Sequence, residues 1–141
     1  VKFIFCGFTK KEFSKFSNKD FKNLECKGFV EDVNKILITS DILLLPSHHE
    51  GLPYSILEAM INKNLILGNN IPGINNIIVH KENGILINDN NTDQYILTIN
   101  DFIKNRLKYN KYIENALLTI HKYERNAFLT KYGDYISNLN R

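Results

Sequence analysis

The chain has 141 residues, 43% of them hydrophobic and 23% charged, the balance of one soluble globular domain with its own core. No apolar run approaches the ~20 residues of a membrane span, and "VKFIFCGFTK" is too short and too lightly charged at its start for a secretory signal. The net charge of +3 arises from lysines interspersed with acids; this gives no argument for nucleic acid, and none is expected as a partner, while it is compatible with weak attraction to an anionic membrane surface.

Strand-like and helix-like stretches alternate. "KFIFCG" (2–7) is an apolar run stopped by Gly7, and "KKEFSKFSN" (10–18) spaces Phe13 and Phe16 as a helix would. "NLECKGF" (23–29) alternates up to Gly28, and "EDVNKILITS" (31–40) places Val33, Ile36 and Leu37 on one helical stripe. "DILLLP" (41–46) suits a strand buried on both faces. "PYSILEAMINKN" (53–64) opens a helix with proline. "NLILGNN" (64–70) is another buried strand, "PGINNIIV" (72–79) a short helix and "NGILIN" (83–88) a last strand. From Thr92 the pattern is helical to the end, with a break near Tyr109–Asn110 and a helical extension over 109–141. Cys6 and Cys26 fall in strand-like runs and are expected as buried thiols in a reducing compartment, not as a disulfide. Asn and Ile are frequent throughout.

This order predicts an α/β fold, a parallel sheet covered by helices, in a single domain over 1–141. Its strands are expected near 2–6, 24–27, 41–45, 65–68 and 84–87. Ligands of such sheets bind beyond the carboxyl ends of the strands. The glycine-rich and polar junctions fall there: Gly7, Gly28–Phe29, Ser47–Pro53 and Asn69–Gly73.

The stretch "LLLPSHHEGLPYSILEAM" (43–60) carries the chemistry. The strand delivers Ser47 to Gly51 onto the binding edge, and Gly51 lets backbone approach a ligand. Pro53 starts a helix whose first amides, at Tyr54, Ser55 and Ile56, are expected to be unpaired and to favour an anion. Glu50 lies just before that turn and Glu58 about one and a half turns into the helix. Carboxylates beside a phosphate suit hydroxyls, so the implied ligand is a phosphate flanked by polyols, as in a nucleotide sugar. A carboxylate pair at this spacing is by itself ordinary helix surface; the surrounding frame of strand, Pro-Ser, Glu-Gly and helix start gives it weight. His48 and His49 are adjacent, so their side chains diverge, and no cluster of ligands supports a metal; His49 is placed in the cleft instead. Cys6 has no histidine partner and is expected in the core rather than as a nucleophile.

"SDILLLPSHHEGLPYSILEAM" resembles the donor-binding signature of retaining glycosyltransferases of the two-Rossmann-domain (GT-B) type, family 4. "ECKGFVEDVNKIL" is similar to the family's strand-Gly-aromatic segment, and "IPGINNIIVHKENGILI" to its Gly-rich turn and following strand. The resemblance implies the C-terminal, donor-binding half of such an enzyme. Glu50 would be the catalytic residue and hold hydroxyls of the transferred sugar. Ser47, His49, Gly51 and Leu52 would line the donor site. Ser55 and Ile56 would face the diphosphate, Glu58 would hold the ribose hydroxyls, and Gly28, Phe29 and Val30 would line the base. The reaction implied is retaining, metal-independent hexosyl transfer to a glycan or lipid-linked acceptor. No cofactor beyond the sugar donor is implied. The expected pathway is lipopolysaccharide or capsule synthesis, in the cytoplasm or at the inner membrane face.

Two departures bear on this. The chain opens at what resembles the family's second strand, without the preceding strand and its Arg/Lys loop or the acceptor-binding N-terminal domain. Asn75 and Asn76 stand where the family has Pro-Glu. A donor-binding fragment inactive alone is therefore expected, the alternative being a non-catalytic nucleotide-sugar module working with another chain. A receiver-like signalling domain is disfavoured because "KFIFCG" lacks the clustered acids that such a domain needs. The stripe Phe128, Tyr132, Tyr135, Ile136 and Leu139 is expected to need cover from the absent half or a second copy.

Overall fold

The computed structural model describes residues 1–17 and 19–123; the stripe expected at 125–141 lies outside them. The chain divides into two compact units, Val1–Lys35 and Ile36–Arg141.

The first unit holds β1 (Phe3–Cys6), α1 (Lys10–Phe13) and β2 (Leu24–Gly28), and a short helix, α2 (Asn34–Leu37), follows in sequence. β1 and β2 pair in parallel, Phe3 opposite Leu24 and Phe5 opposite Cys26, with a register shift between Phe5 and Cys6. Thr9 caps α1 in a capping box: its hydroxyl accepts from the Glu12 amide at 3.2 Å, and the Glu12 carboxylate accepts from the Thr9 amide at 2.8 Å. The ladder is too small to bury its own carboxyl end. Cys6 is exposed and Cys26 only half-buried, so the expectation of two buried thiols fails.

In the second unit β3 (Ile42–Leu45), β4 (Leu65–Asn69) and β5 (Ile85–Ile87) form a parallel sheet in that order. Leu44 lies opposite Leu67, and Leu67 opposite Ile85. All five strands thus fall where the apolar runs place them, and every described ladder is parallel. The strand buried on both faces is β4, not β3, which is half-buried along its length; β4 lies between two neighbours, whereas among the described residues β3 has a hydrogen-bonded partner on one side only.

The two-residue period of β4 divides the core. Leu65 and Leu67 pack with Ile85, Ile87, Tyr95, Phe102 and Tyr109, under α4 (Thr92–Lys104) and α5 (Arg106–Thr119). On the other face Gly68 meets Ile74, and α3 (Tyr54–Ile61) buries Ile56, Ala59 and Met60. Asn64 is fully buried at the start of β4; its side-chain amide donates to the Leu37 and Ser40 carbonyls at 3.0 and 2.6 Å and pins the turn into β3.

Residues 72–79 are not the expected helix but a series of turns. Gly73 sits at φ +91°, which helix cannot continue through. Isolated helical bonds, Asn75 to Ile71 and Ile78 to Ile74, still bring Ile74, Ile77 and Ile78 into the core, which explains their helical spacing. The break expected near Tyr109–Asn110 falls at Asn105. Asp101 fixes this corner, accepting from Asn105, from Lys108 at 2.6 Å and from the Tyr109 hydroxyl at 2.6 Å. Buried Tyr109 consequently stays inside α5.

The Lys108 ammonium, with Tyr109 and Asn105, holds the Asp101 carboxyl well below the usual carboxylate range. Its stabilising contribution is complete above that range and is lost as pH falls toward the depressed value of the folded state. Asp101→Asn should lower Tm at neutral pH, and the difference between variant and parent should shrink as pH falls well below 4. Thermal melts across pH test this.

Candidate functional site

The carboxyl ends of β3 and β4 lead into two loops, Pro46–Pro53 and Asn70–Gly73, and these touch. A Cβ on Gly73 would collide with the Glu50 carbonyl oxygen and come within 2.6 Å of that of Gly51. The bare Cα of Gly73 therefore seats directly on the Glu50–Gly51 backbone. Its left-handed φ and this contact both require glycine. Loop 46–53 is thereby held just ahead of α3.

An asparagine latch holds the same loop from the other side. Asn69 is 3% exposed; its amide donates to the Ser47 carbonyl at 3.1 Å, and its oxygen accepts from the Asn90 amide at 3.0 Å. Asn90, at φ +51°, donates to the Pro46 carbonyl at 2.9 Å and lies 3.4 Å from His48 Nε2. Asn70 and Asn88 share a bond at 2.8 Å, and Asn75 donates to Asn70 at 3.1 Å. These residues tie together the carboxyl edges of β3, β4 and β5. The sequence reading missed them because asparagine is frequent along the chain. The usable signal was position: Asn69 and Asn70 directly end a buried strand, where polar side chains have backbone to satisfy.

Within this frame Ser47 and Glu50 are half-buried, and His49, Gly51 and Leu52 are exposed. Pro53 caps α3 in extended backbone. Tyr54 and Ser55 open the helix, ahead of any intrahelical acceptor for their amides. Ile56 does not conform to expectation: its amide donates to the Pro53 carbonyl at 3.0 Å, and its side chain is wholly buried. It is a core residue, and the amides at the helix start ahead of any intrahelical acceptor are those of Tyr54 and Ser55. Glu58 is half-buried in the second turn of α3. Ser47, Glu50, Gly51 and Glu58 are thus brought to one stretch of strand end and helix start.

The first unit has its own carboxyl edge. Gly28, buried at φ +66°, donates to the Phe8 carbonyl at 2.9 Å and accepts from the Gly7 amide at 2.7 Å. Its amide is already in use, which leaves Phe29, 90% exposed, and half-buried Val30 as residues open to a ligand.

A shallow cavity of about 410 Å³ is lined by His80, Gln94, Asp101, Tyr109 and Tyr112 among others, not by the β3–α3 loop. Asp101 is already shared among three donors there, and His80 Nδ1 accepts from the Leu86 amide at 3.1 Å. Among the described residues no group of three His, Cys, Asp or Glu side chains could hold a metal ion, and no helix is long and apolar enough to cross a membrane.

The glycosyl transferases group 1 family model matches residues 1–118, and the chain belongs to that family. It is 32% identical over 93 residues to an uncharacterized glycosyltransferase of Haemophilus influenzae. It is 37% identical over 75 residues to the UDP-Gal:alpha-D-GlcNAc-diphosphoundecaprenol alpha-1,3-galactosyltransferase of Escherichia coli. These matches cover 65% and 53% of the chain but only 26% and 19% of the relatives. Among solved structures, Anabaena HepE in complex with UDP-glucose superposes with a TM-score of 0.85 at 18% identity, over 98% of this chain and 41% of that one. Staphylococcus aureus TarM gives 0.82 at 26%, over 95% and 28%. The fold is that of GT-B glycosyltransferases, parallel sheets flanked by helices.

Two substitutions probe the frame. Gly73→Ala should cost about 1–3 kcal/mol through strain and the collision with the loop. Asn69→Ala should cost a similar amount by leaving the Ser47 carbonyl and Asn90 amide unpaired. Asn69→Asp, which buries a carboxylate oxygen against the Ser47 carbonyl, should cost at least as much as Asn69→Ala. Denaturant titration of the three variants measures this order.

Proposed function

We propose that this chain binds the nucleotide-sugar donor of a retaining hexosyltransferase. The observation that carries the reading is Gly73 seated on the Glu50–Gly51 backbone, because it holds the loop that bears Glu50 and Gly51 just ahead of a helix start. On this reading the diphosphate takes the Tyr54 and Ser55 amides at the positive end of α3, where an anion is stabilised without a lysine. Glu50 accepts hydroxyl hydrogen bonds from the transferred sugar, and Glu58 accepts them from the ribose. Ser47, His49 and Leu52 border the sugar. In the first unit Phe29 and Val30 are the candidates for contact with a base. The diphosphate assignment invokes no metal.

In retaining transfer the bond from the anomeric carbon to the diphosphate oxygen breaks, the acceptor hydroxyl oxygen forms the new bond on the same face, and its proton leaves on the departing diphosphate. Negative charge grows on the departing diphosphate, so amides already aimed at it stabilise the transition state more than the ground state. Glu50, by holding the sugar hydroxyls, would keep the anomeric carbon turned to the acceptor on the face that the diphosphate leaves.

The UDP-glucose in the HepE complex and the UDP-Gal donor in the E. coli relative's name support a UDP-sugar as the first donor to test. The diphosphoundecaprenol acceptor of that relative supports a lipid-linked acceptor and a place at the inner membrane face. The small share of each relative that this chain spans supports an acceptor domain outside these 141 residues. Robust acceptor-dependent transfer by the 141 residues alone would contradict that division.

The carboxylates separate by ligand. Glu58→Ala should weaken both UDP and UDP-sugar by about 1–3 kcal/mol, roughly 5- to 150-fold in Kd. Glu50→Ala should weaken the UDP-sugar to that extent and leave UDP nearly unchanged. Calorimetric titration of both ligands into both variants tests the assignment; unchanged affinities throughout would refute it.

A further inference from the structure

Three polar side chains at the far end of the second unit reach the segment that begins at Gly73. Asn115 and Thr119 of α5, and Tyr123 of the short helical turn Ile120–Tyr123 that follows it, are spaced four apart. That spacing sets them one above another on a single helix face. The Asn115 amide donates to the Glu82 carbonyl at 2.9 Å. The Thr119 hydroxyl accepts from the Asn83 amide at 3.0 Å, and the Tyr123 hydroxyl donates to the Asn76 carbonyl at 3.1 Å. A polar helix face ordinarily turns to water; here its side chains are engaged by one loop.

The loop uses them because it is made of turns. Turns leave carbonyls that a helix would have paired. The Asn76, Ile77 and Glu82 carbonyls accept from the side chains of Tyr123, Asn83 and Asn115. Asn83 is central and 4% exposed: its oxygen accepts from the Val79 amide at 2.7 Å, and its amide donates to Ile77 and Thr119.

The same loop ends on the candidate site. Two residues, Ile74 and Asn75, separate Asn76 from Gly73, and both are held. Ile74 is wholly buried against Gly68, and Asn75 bonds to Asn70 at 3.1 Å. A close-packed span this short passes on a displacement that a longer loop would absorb. Gly73 has no free space toward the Glu50 and Gly51 carbonyls, so what moves it moves them.

We infer that Tyr123 and Thr119 are positioning residues for the sugar end of the donor site. They act through Asn76, Asn83 and Gly73 on the backbone that carries Glu50, and neither needs to touch the donor. This rests on the donor reading and deepens it. The end of α5 joins the Asn69 and Asn90 bonds in holding one loop. UDP offers Glu50 no sugar, so lost positioning shows with the UDP-sugar and not with UDP. A role in folding alone would lower Tm and leave both affinities of the folded protein as they are.

The test is calorimetric titration with UDP and with whichever of UDP-glucose and UDP-galactose the parent binds more tightly. Tyr123→Phe and Thr119→Val, which delete one hydroxyl each, should raise the UDP-sugar Kd about two- to tenfold and change that of UDP by less than about twofold. Thr119→Ser keeps the hydroxyl and should stay within about twofold of the parent for both. Asp101→Asn loosens the corner between α4 and α5 away from this loop, and should lower Tm with both affinities unchanged. In the free protein, Tyr123→Phe should displace the amide resonances of Gly51 and Gly73, and Asp101→Asn should not. The inference is overturned if Tyr123→Phe and Thr119→Val lower Tm alone, if they weaken both ligands equally, or if Thr119→Ser behaves as Thr119→Val does. A parent that binds neither ligand would overturn the donor reading and this role with it; a parent that binds both, with variants that match it, would overturn this role alone.

Discussion

One close approach organises the second unit. Where Gly73 meets Glu50 and Gly51 there is no room for a side chain, so two loops from neighbouring strands share a single arrangement. That arrangement fixes the Glu50 and Gly51 backbone just ahead of Pro53 and the start of α3. The same loop is also held by Asn69 and Asn90 on the Ser47 and Pro46 carbonyls, so two sets of contacts restrain the backbone that carries Glu50. A binding group gains from being fixed in advance, because ordering it later is subtracted from affinity.

The remainder of the unit maintains this contact. β4 is buried along both faces and supplies the anchor for both loops: Gly68 gives Ile74 space below the Gly73 turn, and Asn69 reaches Ser47 above it. The buried amide of Asn69 is a stringent constraint, since it must find partners or cost stability, and here both its ends are satisfied by backbone. The opposite face, packed under α4 and α5, holds β4 in place. The Asp101 corner sets where those helices turn.

Much of this was legible in the sequence because the strands are short apolar runs that end on glycine, proline or asparagine. Such stops leave little freedom in register, and all five strands lie where the runs place them. The stretch 43–60 was also legible, since strand, glycine and Pro53 follow one another with no gap. What sequence did not show were tertiary facts. Nothing local says that Gly73 will have φ +91° and lie on another loop, so 72–79 read as helix from its isoleucines. Nothing local says that Tyr109 will hand its hydroxyl to Asp101, so the helix break was placed beside it rather than at Asn105. Ile56 looked like a free amide at a helix start because the Pro53 turn that engages it is visible only in three dimensions. The apolar run around Cys6 suggests a core strand, whereas among the described residues its ladder has two strands and leaves the thiol exposed.

The account's central claim is that the donor binds at the carboxyl edge of β3 and β4, on the frame that Gly73 and Asn69 hold. The most direct test is amide chemical-shift mapping of the isotope-labelled chain during titration with UDP and then with a UDP-sugar. The account predicts the largest changes at Gly51, Tyr54, Ser55 and Gly73 and at the Asn69 side-chain amide, with the Glu50 amide responding to the UDP-sugar and not to UDP. Changes confined to the cavity bordered by His80, Gln94, Tyr109 and Tyr112, with residues 47–58 and 69–75 unmoved, would contradict it.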